Sequence, residues 1–252
     1  MKATINPKYL SLHDFILTLP DDFGSLPDAT TLHQGRNVVK MLSVGDVQLV
    51  VKCYGQISYA NRLLYGKLRQ SKSMRAYYNA LRLHEFGINT PEPVASVDVY
   101  KYGVLDQSFF VSVYSDFESL VMLGESVAKV DKELLDSLAD FIILVHSKGI
   151  VHNDLNIRNI RCKRVNGRYE FELIDNNRMT FHSRLTEWQR LQDLRHLNCS
   201  SLPLVYMLEH YAQATGIDVS DFPLKGIVSR LLYKKRNRIK HKLKDKLKHD
   251  WF

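Results

Sequence analysis

The chain lacks any run of about 18 uncharged apolar residues, so no segment reads as a membrane span. Its first residues, MKATINPKYLSLHDF, hold no apolar stretch leading to a small-residue cleavage site, and no secretory signal is expected. Cysteine is scarce: Cys53, Cys162 and Cys199 are scattered, with no CxxC pair. That argues against a disulfide framework or a cysteine-held zinc, and it favours a reducing compartment, the cytoplasm. There is no internal repeat, no Pro/Gly/Ser-rich linker and no GxGxxG. Excess basic charge is also missing from most of the chain. Residues 234–252 carry nine Lys/Arg against Asp245 and Asp250, a net +7 of the protein's +8. A nucleic-acid footprint would spread over the fold, so no nucleic-acid partner is expected.

What is present is a 252-residue chain, 45% apolar and 25% charged, long enough for one large domain or two small lobes. Residues 36–54 read as two β-rich runs around the turn Gly45-Asp46, the second apolar on both faces. SKSMRAYYNALRLHEFG then reads as a helix, with Ser71 or Ser73 as cap, Gly87 as stop, and Met74, Tyr77, Leu81 and Phe86 as its apolar stripe. Two more strands follow, Val94–Tyr102 and Ser108–Tyr114. Asp131 caps a second helix whose stripe is Leu134, Leu135, Leu138, Phe141, Ile142 and Val145, ending before Gly149. IRCKRV and YEFELID are strands around Asn166-Gly167, and mostly helix follows. The expected fold is α+β: a small antiparallel lobe with one main helix over 1–115, then a mainly helical lobe over 116–252 ending in a basic helical tail, 234–252.

The chemistry concentrates in His152-Asn153-Asp154-Leu155-Asn156-Ile157-Arg158-Asn159 and in Leu173-Ile174-Asp175. Phosphoryl transfer needs an acceptor for the attacking hydroxyl's proton, oxygen ligands for Mg2+ and cations on the phosphates. Asp154 and Asn159, five apart on one loop, supply a base and one ligand. Asp175, at the exit of an apolar strand, supplies a second ligand.

HNDLNIRN is similar to the H-x-D-L-N-x-x-N catalytic loop of the kinase-like superfamily. In this form it resembles the lipopolysaccharide kinases, the Kdo- and heptose-kinase family, which has bacterial members. GRN near the first strand, SKSMRAYYNALRLHEFGINTPEPVA and LIDNNRM carry the same likeness, which covers roughly residues 31–200. The resemblance implies a bilobal protein-kinase-like fold and transfer of the γ-phosphate of ATP, with Mg2+, to a hydroxyl on a sugar of a lipopolysaccharide-type glycolipid. It makes Asp154 the catalytic base, Asn159 and Asp175 the metal ligands, and Lys52 the strand lysine on the α/β-phosphates. Gly35, Arg36 and Asn37 take the phosphate-loop position, Tyr114 the place where a hinge meets adenine. Asn156 is grouped with the nucleotide-binding residues; it stands where protein kinases place Lys, which points to a small or sugar acceptor. A kinase of a soluble acceptor or a protein, and a nucleotide-binding pseudokinase, are the alternatives.

Three departures accompany the likeness. Asp175-Asn176-Asn177 replaces the usual Asp-Phe-Gly, only Gly35 remains of the glycine loop, and no helix acid is evident for Lys52, Glu85 lying near the helix end. His152 is expected to hydrogen-bond loop backbone. Arg158 reads equally as an acceptor contact or a solvent-facing residue, and Asp193 as a brace for the catalytic loop or a surface helix residue. In the tail, Ile239, Leu243 and Leu247 recur among lysines before Trp251 and Phe252, the pattern of a basic amphipathic helix. Such a helix suits peripheral contact with an anionic inner membrane face.

Overall fold

Valine-rich runs broken by a glycine turn build the centre of the first sheet. In the computed structural model, which describes residues 1–55, 69–121 and 131–249, that sheet has six strands. They are β1 (Lys2–Ile5), β2 (Thr30–Gln34), β3 (Val38–Val44), β4 (Val47–Cys53), β5 (Pro93–Lys101) and β6 (Val104–Val113). The order is β1-β5-β6-β4-β3-β2, antiparallel throughout. Gly45, at φ 58, closes the β3–β4 hairpin, where a side chain would be strained. Helices α1 (His13–Asp22) and α2 (Lys72–Glu85) both pack on β5.

Alternation along the strands sorts two faces. Leu49, Val51, Ala95, Val97, Phe109 and Val111 join Ile16 and Leu19 of α1 in one apolar core. Residues one step along point the other way: Ser96, Asp98 and Ser108 meet Ser73 of α2 in a buried network, with Ser73 Oγ donating to Asp98 Oδ1 at 2.7 Å. Lys52, one step past Val51, shares this second face. Ser71 caps α2 by accepting from the Met74 amide, and Gly87 follows its end at φ 71. The buried stripe of α2 is Met74, Tyr77, Ala80 and Leu83; Leu81 and Phe86, expected in it, are only half-buried. β1, β2 and α1 were not expected from the sequence; among the described residues of this unit, α1 accompanies the expected main helix α2.

Two units result: Met1–Phe117 with Glu172–Arg178, and Glu118–Phe171 with Met179–Phe252. The contiguous division expected near 115–118 does not include this return of 172–178 to the first unit. In the second unit, β7 (Glu118–Ser119) and β9 (Ile160–Val165) form a small sheet with β10 (Arg168–Leu173), whose last two residues belong to the first unit, and β8 (Ile150–Val151) pairs with β11 (Thr180–Phe181). Asn166 and Gly167, both at positive φ, make the β9–β10 turn. Four helices complete the described part: α3 (Lys132–Ser147), α4 (Glu187–Leu194), α5 (Ser201–Thr215) and α6 (Phe222–His249). Asp131 caps α3, accepting from the Glu133 amide at 2.9 Å. The α3 stripe is buried as expected, apart from a half-buried Phe141. Helix α6 begins well before the basic tail; Ile239 and Leu243 on it are exposed. Trp251, Phe252 and the side chain of Leu247 lie outside the described residues. No described helix is long and apolar enough to cross a membrane.

Candidate active site

In the first unit, the Lys52 ammonium donates to Asp175 Oδ1 at 2.7 Å, and the Asn177 amide donates to the same oxygen at 2.7 Å. Lys52 is thus paired with the strand-exit carboxylate and not with a helix acid; Glu85 is exposed at the last position of α2. Asp175 sits at φ 60, a left-handed conformation that Asp tolerates better than most side chains. The following 3-10 turn, Asn176–Arg178, is tied to α2 by Asn79 Nδ2 donating to the Asn176 carbonyl at 2.7 Å.

Where a helix acid was sought, α2 presents cations. Lys72 has its pKa pushed down to about 8, first by burial and then by Arg36, Arg178 and Arg75, with Asp175 acting in the opposite sense. Lys52 pairs with Asp175, and Asp175, Arg36, Arg75 and Arg178 all act on Lys72, so five basic side chains share the neighbourhood of this carboxylate. Lys52 and Arg36 were expected from the sequence; Lys72, Arg75 and Arg178 were not. The available signals were Lys72 and Arg75, three apart on the first turn of α2, and Arg178, three after Asp175. Gly35-Arg36-Asn37 forms the β2–β3 turn, Gly35 N–H donating to the Asn37 carbonyl at 3.1 Å. A Cβ on Gly55 would lie 2.6 Å from the Arg36 carbonyl oxygen, so glycine there lets the turn approach the end of β4. Tyr114 follows β6 with its ring partly exposed, and its amide already donates to the Gln48 carbonyl at 2.8 Å.

In the second unit, the loop after β8 folds back on Asp154. The Asp154 carbonyl accepts from the Asn156 amide at 2.8 Å and from Asn159 Nδ2 at 2.9 Å. Asn156 Nδ2 lies 3.3 Å from Asp154 Oδ1, holding the carboxylate on its loop. Because the Asn159 nitrogen is committed, its oxygen is the end left for a cation. Asn153, at φ 62, makes the turn. Both peptide N–H groups before Asp154 are collected by Asp193: His152 N–H donates to Oδ2 at 2.8 Å and Asn153 N–H to Oδ1 at 2.7 Å. Asp193 is fully buried, with His146 Nε2 3.3 Å away. It is therefore the brace of this loop, not a surface residue. Burial alone would raise its pKa, but hydrogen bonding and charge from His146, with His152 adding to them, hold it below the usual carboxylate range. His152 is also fully buried, and Arg158 is exposed beside Asp154.

Asp175 in the first unit and Asn159 in the second each carry side-chain oxygen of the kind a hard divalent cation takes, and the first unit's five-cation cluster fits polyphosphate charge. Comparison with solved structures bears on the fold alone. WaaP in complex with acyl carrier protein matches at a TM-score of 0.62 and 15% identity, over 95% of this chain and 99% of that one. The Rio2 kinase-ADP/Mg2+-phosphoaspartate complex from Chaetomium thermophilum matches at 0.50 and 15%, over 88% and 67%. A thermostable aminoglycoside phosphotransferase APH(4)-Ia mutant with ADP and hygromycin B matches at 0.50 and 12%, over 87% and 88%. The α+β architecture is that of the protein-kinase-like fold. The family profile described as Lipopolysaccharide kinase (Kdo/WaaP) family matches residues 34–223, so the protein is a phosphotransferase of that class, and the chain belongs to that family. No curated protein matches it.

Proposed function

We propose that this kinase transfers the γ-phosphate of ATP, with Mg2+, to a hydroxyl on a sugar of a lipopolysaccharide-type glycolipid. The observation that carries the reading is the pairing of Lys52 with Asp175 inside a cluster of five cations, a built receptor for polyphosphate. Residues 1–115 act as the nucleotide-side lobe and 116–252 as the lobe carrying the catalytic loop. Lys52, with Lys72, Arg36, Arg75 and Arg178, holds the phosphates; the Gly35-Arg36-Asn37 turn covers them. Tyr114 offers adenine its ring, since its amide is taken by Gln48. Asn159 and Asp175 hold Mg2+, which supplies charge neutralisation on the phosphates. Asn156 fixes the Asp154 carboxylate, which orients the alcohol and takes its proton as the alcohol oxygen bonds to phosphorus and the ADP oxygen departs. Asp193 acts through the loop backbone and touches no reactant. The protein works in the cytoplasm, with tail 234–252 making a peripheral contact at the inner membrane face.

Asp154→Ala tests the assignment. Transfer from labelled ATP to glycolipid should fall at least about 100-fold, the usual share of a general base. ATP binding, followed by Mg2+-dependent thermal shift, should persist. Retained turnover refutes the role, while binding without any transfer by the wild type marks a pseudokinase. Mass spectrometry of cellular glycolipids with and without the protein identifies the acceptor: a missing phosphate's mass supports the glycolipid, and unchanged glycolipids direct the search to soluble acceptors.

A further inference from the structure

A cavity of about 530 Å³ opens beside Asp154, wholly within the second unit. Its volume suits one small ligand. Its walls come from the catalytic loop, the segment after α4, and one side of α6. Four cations line it, Arg158, Arg195, Lys234 and Arg238, against a single acid, Asp154 itself. None of the four forms an ion pair with a described acid. Lys225, farther back on α6, behaves otherwise: it is paired with both Glu187 and Asp221. Arg158, Lys234 and Arg238 present exposed side chains to the cavity, while Arg195 is half-buried and held in place. The Arg195 guanidinium lies over the Tyr233 ring at 4.9 Å, and its Nε is buried without a hydrogen-bond partner. Burial, followed by the charge of Arg230, pulls the Lys234 pKa down. Four like charges around one concavity repel one another, and a bound anion relieves that repulsion.

We propose that this cavity is the acceptor pocket and that it selects a sugar already carrying a phosphate, gripping that group with Arg195, Lys234 and Arg238 while a neighbouring hydroxyl meets Asp154. The inference rests on reading Asp154 as the base, and it adds the acceptor's chemical class. Arg158, left open between acceptor contact and solvent, is thereby a contact. Arg195 supplies a planar donor fork suited to phosphate oxygens, and the ammonium of Lys234 a point charge.

The test is calorimetric binding of glucose 6-phosphate, glucuronate and glucose, in the presence of a non-hydrolysable ATP analogue and Mg2+ so that the first unit's cation cluster is occupied. The wild type should bind glucose 6-phosphate at least tenfold more tightly than glucose, with glucuronate between them. Lys234→Gln with Arg238→Gln, both on the exposed side of α6, should lose at least tenfold. Arg158→Gln, on a different element, should lose several-fold independently. Asp154→Asn should keep or gain affinity, because it removes the pocket's one opposing charge, while losing transfer. Equal binding of glucose and glucose 6-phosphate overturns the proposal, as does a folded double variant that binds like the wild type. Binding seen only with a phosphorylated glycolipid in detergent micelles, and lost in the double variant, assigns the phosphate to a lipid headgroup. Should the wild type transfer no phosphate while these binding differences persist, the kinase reading fails and the anion pocket stands.

Discussion

Lys72 is the side chain whose behaviour most directly reports what the first unit is built to hold. Its pKa near 8 means the cluster sheds a proton just above neutrality. From there up to the ordinary lysine value near 10.4, the unfolded chain keeps a proton the folded one has released, so stability rises with pH across that window. Nucleotide binding has the opposite sign, because phosphates favour the charged amine. ATP affinity should fall as pH passes upward through about 8, by at most about tenfold per pH unit, and Lys72→Gln should remove that slope in a calorimetric pH series. An unchanged slope in the variant would place Lys72 outside the phosphate site. Asp193 makes the complementary case for a carboxylate. Its depressed pKa contributes stability that is present above the ordinary carboxylate value and lost as pH falls below about 4. Asp193→Asn turns an amide nitrogen towards one of two N–H donors and strands His146 in the interior. It should cost about 3–5 kcal/mol by urea unfolding near neutral pH and flatten the acid limb below about pH 4. Its role was undecidable from sequence, since WQRLQDLRHL is periodic enough to place Asp193 on a helix but says nothing of the two amides it meets.

Turns and caps were the most legible elements, because their chemistry is local. Asp131, Ser71, Gly45 and the Asn166-Gly167 pair all do what their residue types dictate. Gly149 goes further. It sits at φ 71, and a Cβ there would lie 1.9 Å from the His182 carbonyl oxygen. That carbonyl belongs to the segment following β11, whose Thr180 and Phe181 pair with β8 just ahead of the catalytic loop. Gly149→Ala must therefore both strain the backbone and push β11 away. It should destabilise by at least about 2 kcal/mol in urea and reduce transfer, with Asp154 itself untouched. A variant as stable as the wild type would show that β11 shifts freely. Elements that depend on distant partners were illegible. β1 earns its place by pairing Lys2–Ile5 with Ala95–Asp98, a register that no four-residue pattern announces. β2 is exposed along its whole length, so it carries no apolar alternation. Helix α1 contains Pro20, which disguises its periodicity. The candidate site divides in the same way. Asp154, Asn159 and Asp175 could be picked out from spacing and Lys52 from the family resemblance, whereas Lys72, Arg75 and Arg178 come together only once α2 and the 176–178 turn are packed.

Across the molecule, charge is distributed so that one end differs from all the rest. Nearly the whole net +8 resides in the last 19 residues, and described α6 residues there, Lys235, Arg236, Lys240 and Lys242, are exposed. The preceding turns of the same helix expose Leu224, Val228, Leu231 and Leu232, with Trp188 of α4 exposed as well. An apolar stretch followed by a basic one suits a peripheral contact with an anionic bilayer: acyl chains accept the first, and headgroups attract the second at about 1 kcal/mol per lysine. Such binding must weaken as salt rises from about 0.1 M to about 1 M, where the screening length shrinks from roughly 10 Å to 3 Å. Cosedimentation with vesicles containing an anionic phospholipid should show that decline, and vesicles of neutral lipid should retain little protein. Deleting 234–252 should abolish the salt-sensitive part, while Trp188→Ala with Leu224→Ala should lower the residual binding at high salt. If the truncated chain bound anionic vesicles as the full chain does, the tail would have no part in bringing the enzyme to a membrane, and its charge would need another partner.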